Sequence, residues 1–197
     1  MKTKETRALL LKAAETIFVR DGYEGAELGE IAALAGRTKG AIYSHYKSKE
    51  DIFLALFEDR TKKIRSGIEK KVAKSTNQAE NLEIMRQHCL NVTKDQTWSL
   101  LLLEFKLFAL RHPESKERLQ KYYEGTYAGN PETVYTQLLG SPAKGRDAVN
   151  RSVAVRIIIP LLSALTVEAK FAPNELPPRV IKKVTAQIFD TLLPAPK

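Results

Sequence analysis

Residues 36–49 run Gly-Arg-Thr-Lys-Gly-Ala-Ile-Tyr-Ser-His-Tyr-Lys-Ser-Lys, a stretch rich in hydrogen-bond donors that contains no acid. Arg37, Lys39, Lys47 and Lys49 gather positive charge there, whereas Glu24, Glu27 and Glu30 lie just upstream. The chemistry on offer is recognition of a polyanion. The Lys39 ammonium can donate to guanine O6 and N7, and Gly40, having no Cβ, lets a backbone come close to the bases. Thr38 and Ser44 add hydroxyls to the same segment. Arg37 is placed either to reach a phosphate or to serve as a surface charge.

These side chains need elements to position them. Leu28, Ile31, Ala32 and Ala35 fall at i, i+3, i+4 and i+7, which predicts a short helix over 27–35 with one apolar face. Gly36 can close it in the left-handed conformation, and Thr38 can cap the next helix by accepting from an unpaired backbone N–H. Ala41, Ile42 and Tyr46 would pack the second helix on the first, leaving Lys39, Gly40, Tyr43 and Ser44 on its free surface. Two short helices joined by three residues, the second with a small, basic outer face, form a helix-turn-helix suited to the major groove of B-DNA.

The wider pattern consists of Thr6-Arg7, Gly22-Tyr23, Glu30-Ile-Ala-Ala-Leu-Ala-Gly36 and the run from Lys39 to Phe53. It resembles the N-terminal domain of TetR-family transcriptional regulators. The resemblance covers about a quarter of the chain. It implies an all-α protein: a three-helix helix-turn-helix domain over 1–48, a long fourth helix over 49–74, and a C-terminal helical effector-binding and dimerisation domain over 75–197. It also makes Tyr43, His45 and Lys49 similar to the family's phosphate-clamping positions. A phenol, an imidazole N–H and an ammonium at a helix start can all donate to phosphate oxygens. One departure is Ala26-Glu27, which stands where the family usually has two small hydroxyl residues. Ionised glutamate cannot donate to a phosphate and repels it.

Downstream, Trp98 to Pro113 resembles the family's glutamate-bearing sixth helix and its Arg-x-Pro end. Leu101, Glu104 and Phe108 share one face there and Phe105 adds an aromatic, so these four are the candidate ligand-binding residues. An acid in so apolar a helix either pairs structurally or selects a cationic or hydrogen-bonding ligand. Tyr122, Tyr123, Tyr127 and Tyr135 are further aromatic candidates. The resemblance also implies that the last two long helices pair with their copies in a homodimer.

The rest of the 197 residues agrees with an all-α chain. Thr6 can cap a first helix striped by Leu9, Leu10, Ala13, Ala14, Ile17 and Phe18, and stopped at Asp21-Gly22. Ser48 to Asp51 makes a capping box for a fourth helix striped by Ile52, Leu56, Ile64, Ile68 and Val72, with Arg60, Lys62, Lys63 and Arg65 on its wet side. Polar residues 75–78 mark a boundary, and further helices are predicted near 79–94, 97–111, 114–125, 131–139, 144–172 and 178–193. Breaks fall at Gly129-Asn130 and from Gly140 to Pro142. Pro160 should kink or break its helix locally, though the helix should survive it, and the apolar density from Val153 to Leu165 requires a second covered face.

Composition sets outer bounds. The chain is 43% hydrophobic and 28% charged with a net charge of +9, which suits a soluble protein attracted to polyanions. No apolar run approaches a membrane span and the start lacks a signal-peptide core, so the expected compartment is the cytoplasm. Cys89 is the single cysteine, and His88-Cys89 lacks partners at metal-ligand spacing, so neither a metal nor another cofactor is expected. No phosphate loop, nucleophile elbow or HExxH motif supports an enzyme. The expected function is a dimeric transcriptional regulator, a repressor above all, that binds a pseudo-palindromic double-stranded operator and is released by a small molecule. The alternative is a helical DNA-binding protein without an effector, constitutive or architectural.

Overall fold

The computed structural model describes residues 2–126 and 151–194. Within them the chain forms α1 (Lys2–Gly25), α2 (Leu28–Leu34), α3 (Lys39–His45), α4 (Lys49–Val72), α5 (Gln78–Lys94), α6 (Gln96–Arg111), α7 (Pro113–Thr126), α8 (Arg151–Phe171) and α9 (Pro178–Leu192), with no strand among the described residues. The all-α expectation holds. The expected helix over 131–139, the breaks at Gly129-Asn130 and Gly140 to Pro142, Tyr127, Tyr135 and the start of the helix expected from 144 lie outside the described residues.

The chain divides into two compact units, one from 1–65 with 101–122, the other from 66–100 with 123–197. The first is built on α1, whose Leu10, Ala13, Ala14, Ile17 and Phe18 are buried. Leu9, expected in that stripe, is instead 37% exposed, since the buried arc of α1 begins at Leu10. The expected stop appears as a break: Gly22 adopts φ 74° and ψ 178°, outside helical space, and the helix is resumed only to Gly25. The break frees the backbone N–H of Tyr23, which donates to Glu104 Oε2 at 3.0 Å. A Cβ on Gly22 would lie 2.7 Å from that oxygen, so glycine is needed both for the dihedral and for the approach of the carboxylate.

Around this point an aromatic cluster forms the floor of the unit. Phe53 and Phe105 lie 4.3 Å apart between ring centroids, Tyr23 and Phe105 4.8 Å, and Phe18 and Phe53 5.1 Å. Such pairs add about 0.5–1.5 kcal/mol each beyond the area they bury. Arg60, expected on the wet side of α4, turns inward and pairs with Glu15 at 2.8 Å, so it joins α4 to α1. Ile64, expected on the buried stripe, is 39% exposed.

The second unit packs α5, α8 and α9 around Leu82, Cys89, Ala154, Ile158, Leu162, Phe189 and Leu193. Asn77 caps α5 by accepting from the Glu80 N–H at 3.0 Å. The polar boundary read at 75–78 is thus a helix start. Helix α8 runs through Pro160 without interruption. Its apolar residues divide between two faces, and the cover expected over the second is not among the described residues. Ala154, Ile158 and Leu162 are buried, whereas Val153, Ile157 and Leu161 are exposed at i, i+4 and i+8.

Candidate nucleic-acid interface

The turn before α3 is set by hydrogen bonds that only a left-handed residue permits. Gly36 has φ 63°, its N–H donates to the Ala33 carbonyl at 3.0 Å, and the Arg37 N–H donates to the Ala32 carbonyl at 2.9 Å. This double closure satisfies the end of α2 and redirects the chain within one residue. Thr38 is extended, and its hydroxyl oxygen accepts from the Ala41 N–H at 3.2 Å to start α3. Helix α3 is held from beneath by Ile42, fully buried, and Tyr46, 5% exposed, whose hydroxyl accepts from Arg7 Nε at 3.3 Å.

That anchoring fixes which side of α3 faces outward. Arg37, Thr38, Lys39, Gly40, Tyr43 and Ser44 are all exposed, as is Lys47 in the turn that follows α3. Each presents a definable group. The Arg37 guanidinium spends one N–H on the Gly36 carbonyl at 3.0 Å and keeps the rest outward. Thr38, its oxygen accepting from α3, retains its O–H proton for donation. The Ser44 hydroxyl donates to the Ala41 carbonyl at 2.8 Å, so it faces outward as an acceptor. A Cβ added to Gly40 would find nothing nearer than the Thr38 hydroxyl at 3.9 Å, so no internal contact requires glycine there.

His45 is half-buried beside Tyr46, with ring centroids 6.3 Å apart. Lys49 is also half-buried. Its ammonium donates to the Glu24 carbonyl at 2.6 Å and lies 5.2 Å from the centroid of the Tyr23 ring. Burial lowers its pKa from the usual lysine value, against the opposing pull of Glu24 and Glu27. Lys49 therefore ties α4 to the end of α1 and has two of its three N–H groups left for another acceptor. Upstream, Arg20 holds Asp21 and Glu30, each at 2.6 Å, which neutralises one acid of the flanking group. Glu27 occupies the cap position of α2 in extended conformation, and its side chain makes no capping bond.

Ser48 and Asp51 cap α4, with a variation on the expected box. The Ser48 hydroxyl accepts from the Asp51 N–H at 3.1 Å, while Asp51 Oδ2 reaches one residue further back and accepts from the Lys47 N–H at 2.8 Å. Lys47, counted in the basic cluster but not among the candidate contacts, is the exposed cation that local pattern alone undervalued. The signal for it was the capping pair just after it, Ser48 and Asp51.

Leu101 is 2% exposed and Phe105 fully buried in the aromatic cluster, Phe108 packs on Tyr23 with centroids 4.7 Å apart, and Glu104 holds the Tyr23 N–H. The Glu104 carboxylate thus has a backbone N–H as its partner. No group of three or more His, Cys, Asp or Glu able to hold a metal occurs among the described residues. No helix there is long and apolar enough to cross a membrane.

The sequence profile described as bacterial regulatory proteins, tetR family, matches residues 10–56. The chain is 48% identical over 52 residues to the HTH-type transcriptional repressor BepR of Brucella suis, covering 26% of this chain and 25% of that protein. It is 35% identical over 78 residues to the HTH-type transcriptional activator FasR of Mycolicibacterium smegmatis, covering 40% and 36%. These matches span only about a quarter to a third of the relatives' length. In fold the chain is similar to the transcriptional regulator FadR of Bacillus subtilis, solved with stearoyl-CoA, at a TM-score of 0.65 and 17% identity over 96% of this chain and 99% of that one. Over residues 10–56 the sequence thus matches that of the bacterial regulatory proteins, tetR family, and the helical fold is similar to that of a solved transcriptional regulator.

Proposed function

We propose that the protein is a homodimeric transcriptional repressor that inserts α3 of each subunit into successive major grooves of a pseudo-palindromic operator and is released by a small-molecule effector. The observation that carries this reading is the sidedness of α3: Ile42 and Tyr46 sunk, and Lys39, Gly40, Tyr43 and Ser44 raised. In it, Lys39 and Gly40 read bases with Thr38 and Ser44 beside them, while Arg37, Tyr43, His45 and Lys49 hold phosphates, and residues 1–48 are the DNA-binding domain. Half-sites should lie about 34–36 Å apart.

Dimerisation draws support from the second face of α8, where Val153, Ile157 and Leu161 stay 37–47% exposed at helical spacing. A self-complementary pairing of that face removes it from water. The effector is proposed to bind the C-terminal domain over 75–197 and act through α6, which passes from the second unit into the first at residues 100–101. Leu101, Glu104, Phe105 and Phe108 then transmit its effect to α1 in addition to any contact with it. A ligand preferring one of two arrangements about 100-fold shifts operator affinity by about 2.7 kcal/mol, within the ordinary range of coupling. Repression rather than activation rests on the kinship with a named repressor, set against an activator of lower identity.

Selection of bound fragments from bacterial genomic DNA by the purified protein tests the reading. The expected result is a palindromic site protected by a dimer and lost on adding an effector from a compound library. A protein that sediments as a monomer with Ile157 replaced by Asp no more monomeric than the parent, or that binds all duplexes alike, overturns it.

A further inference from the structure

Helix α7 carries an arginine whose position the DNA-facing surface does not explain. Arg118 Nη2 donates to Asp51 Oδ1 at 2.5 Å and Nη1 lies 3.3 Å from Glu50 Oε2, so one guanidinium spans two acids in the first turn of α4. The Ser115 hydroxyl, one turn earlier on α7, donates to the same Glu50 oxygen at 2.9 Å. The Glu50 side chain is 13% exposed, and its other oxygen, Oε1, is buried with no hydrogen-bond partner among the described residues. Arg118 and Ser115 thus both engage Glu50 Oε2 from the same face of α7.

The second oxygen of Asp51 gives the bridge its consequence. It accepts from the Lys47 N–H, in the exposed turn between α3 and α4 that joins the helix-turn-helix surface to Lys49. An ordinary capping residue would be free to choose its rotamer; this one is held from behind by Arg118. Burial works against ionisation of Asp51, but the bonds from Arg118 and from the Lys47 and Ser48 amides outweigh it, and its carboxyl sits below the usual aspartate value.

We propose that Arg118 is a positioning residue for DNA recognition: it fixes Asp51, which fixes the Lys47 turn, so that α7 sets the placement of the phosphate-facing end of the helix-turn-helix without touching DNA. Its effect on affinity rests on the proposed operator binding; its effect on the turn does not. The side chain is 41% exposed, so the bridge contributes little to global stability, and loosening it shows in the turn before it shows in unfolding.

The test compares Arg118→Ala with Lys121→Ala, an equal loss of charge on the same helix from a side chain that is 70% exposed and pairs with Glu117. Arg118→Lys, able to hold one acid at a time, is the conservative variant. Readouts are the affinity for the site the parent protein selects and amide hydrogen exchange at Lys47, normalised to Phe18 and Phe53 in the core. Arg118→Ala is expected to speed Lys47 exchange while the core amides stay protected, and to weaken the selected site about tenfold more than Lys121→Ala, with Arg118→Lys in between. Equal losses in the two alanine variants, or Lys47 exchange that rises only in step with the core, overturns the proposal. A parent protein that selects no DNA overturns the preceding reading instead and leaves the exchange test standing.

Discussion

Gly40→Ala separates the demands of the fold from those of a docked surface. A Cβ at this position has its nearest neighbour 3.9 Å away, and Gly40 sits within α3 with no positive φ. Inside the protein the methyl therefore costs nothing and restricts the unfolded chain, so stability should rise by about 0.4–1 kcal/mol. For a chain of this size that is about 1–4 °C in Tm, read by calorimetry. On the operator the same methyl lies where the helix backbone approaches the base edges, and crowding there should cost about 1–3 kcal/mol, or about 5- to 150-fold in affinity by fluorescence anisotropy. The two effects have opposite signs, which no general loss of structure can imitate. If Gly40→Ala binds the operator as tightly as the parent, α3 does not dock by this face; if its Tm falls, the space seen around Gly40 is not real.

Lys39→Ala should weaken the selected operator by about 1–3 kcal/mol and random duplex much less, whereas Lys49→Ala should weaken both and lower the salt slope by about one. Equal losses on operator and random DNA would refute that division of labour. Because Lys49 also bonds the Glu24 carbonyl, its variant should lose some Tm as well, which Lys39→Ala should not. The Asp51 carboxyl is depressed in the folded state, so its contribution is full above the unfolded aspartate value near 3.8 and is lost as pH falls through the lower folded value. The Tm difference between the parent and Asp51→Asn should accordingly narrow below about pH 4 and stay constant from there to neutrality.

Local chemistry made the helix-turn-helix legible. A glycine with free choice of φ, a threonine three residues before an acceptor-seeking N–H and apolar residues at helical spacing each specify their own geometry, and Gly36, Thr38 and Ile42 stand as their types require. The fourth helix was legible only where packing is dense: Ile52 and Leu56 are buried, but Ile64 is not, because periodicity records which residues share a face and not what lies against it. Arg60 misled for a related reason. A long cationic side chain at the margin of a stripe can turn either way, and Glu15, 45 positions earlier, decides it. The partners of Glu104 and Asp51 are likewise remote in sequence, at Tyr23 and Arg118, so a single chain read in order offers no signal that links them.

The departure at Ala26-Glu27 can be resolved by experiment, because the structure gives both of its costs. Glu27 already has the extended backbone of a helix cap, φ −112° and ψ 132°, yet its side chain makes no capping bond, so α2 begins with its first N–H groups unmet by a side chain. A serine in the same backbone can accept from one of them, and such a cap is worth about 1 kcal/mol. Glu27→Ser also removes a negative charge next to the basic surface formed by Arg37, Lys39 and Lys47. Stability and affinity for every duplex should therefore rise together, the second more at low salt because the exposed charge is screened by ions. That combination is distinctive: removal of a carboxylate that held α2 in place would lower Tm, and a Glu27 remote from DNA would leave affinity unchanged at every salt concentration. Either result, from thermal melts and a salt titration of random-duplex binding, would show that glutamate at this cap serves the protein in a way its unbonded side chain does not reveal.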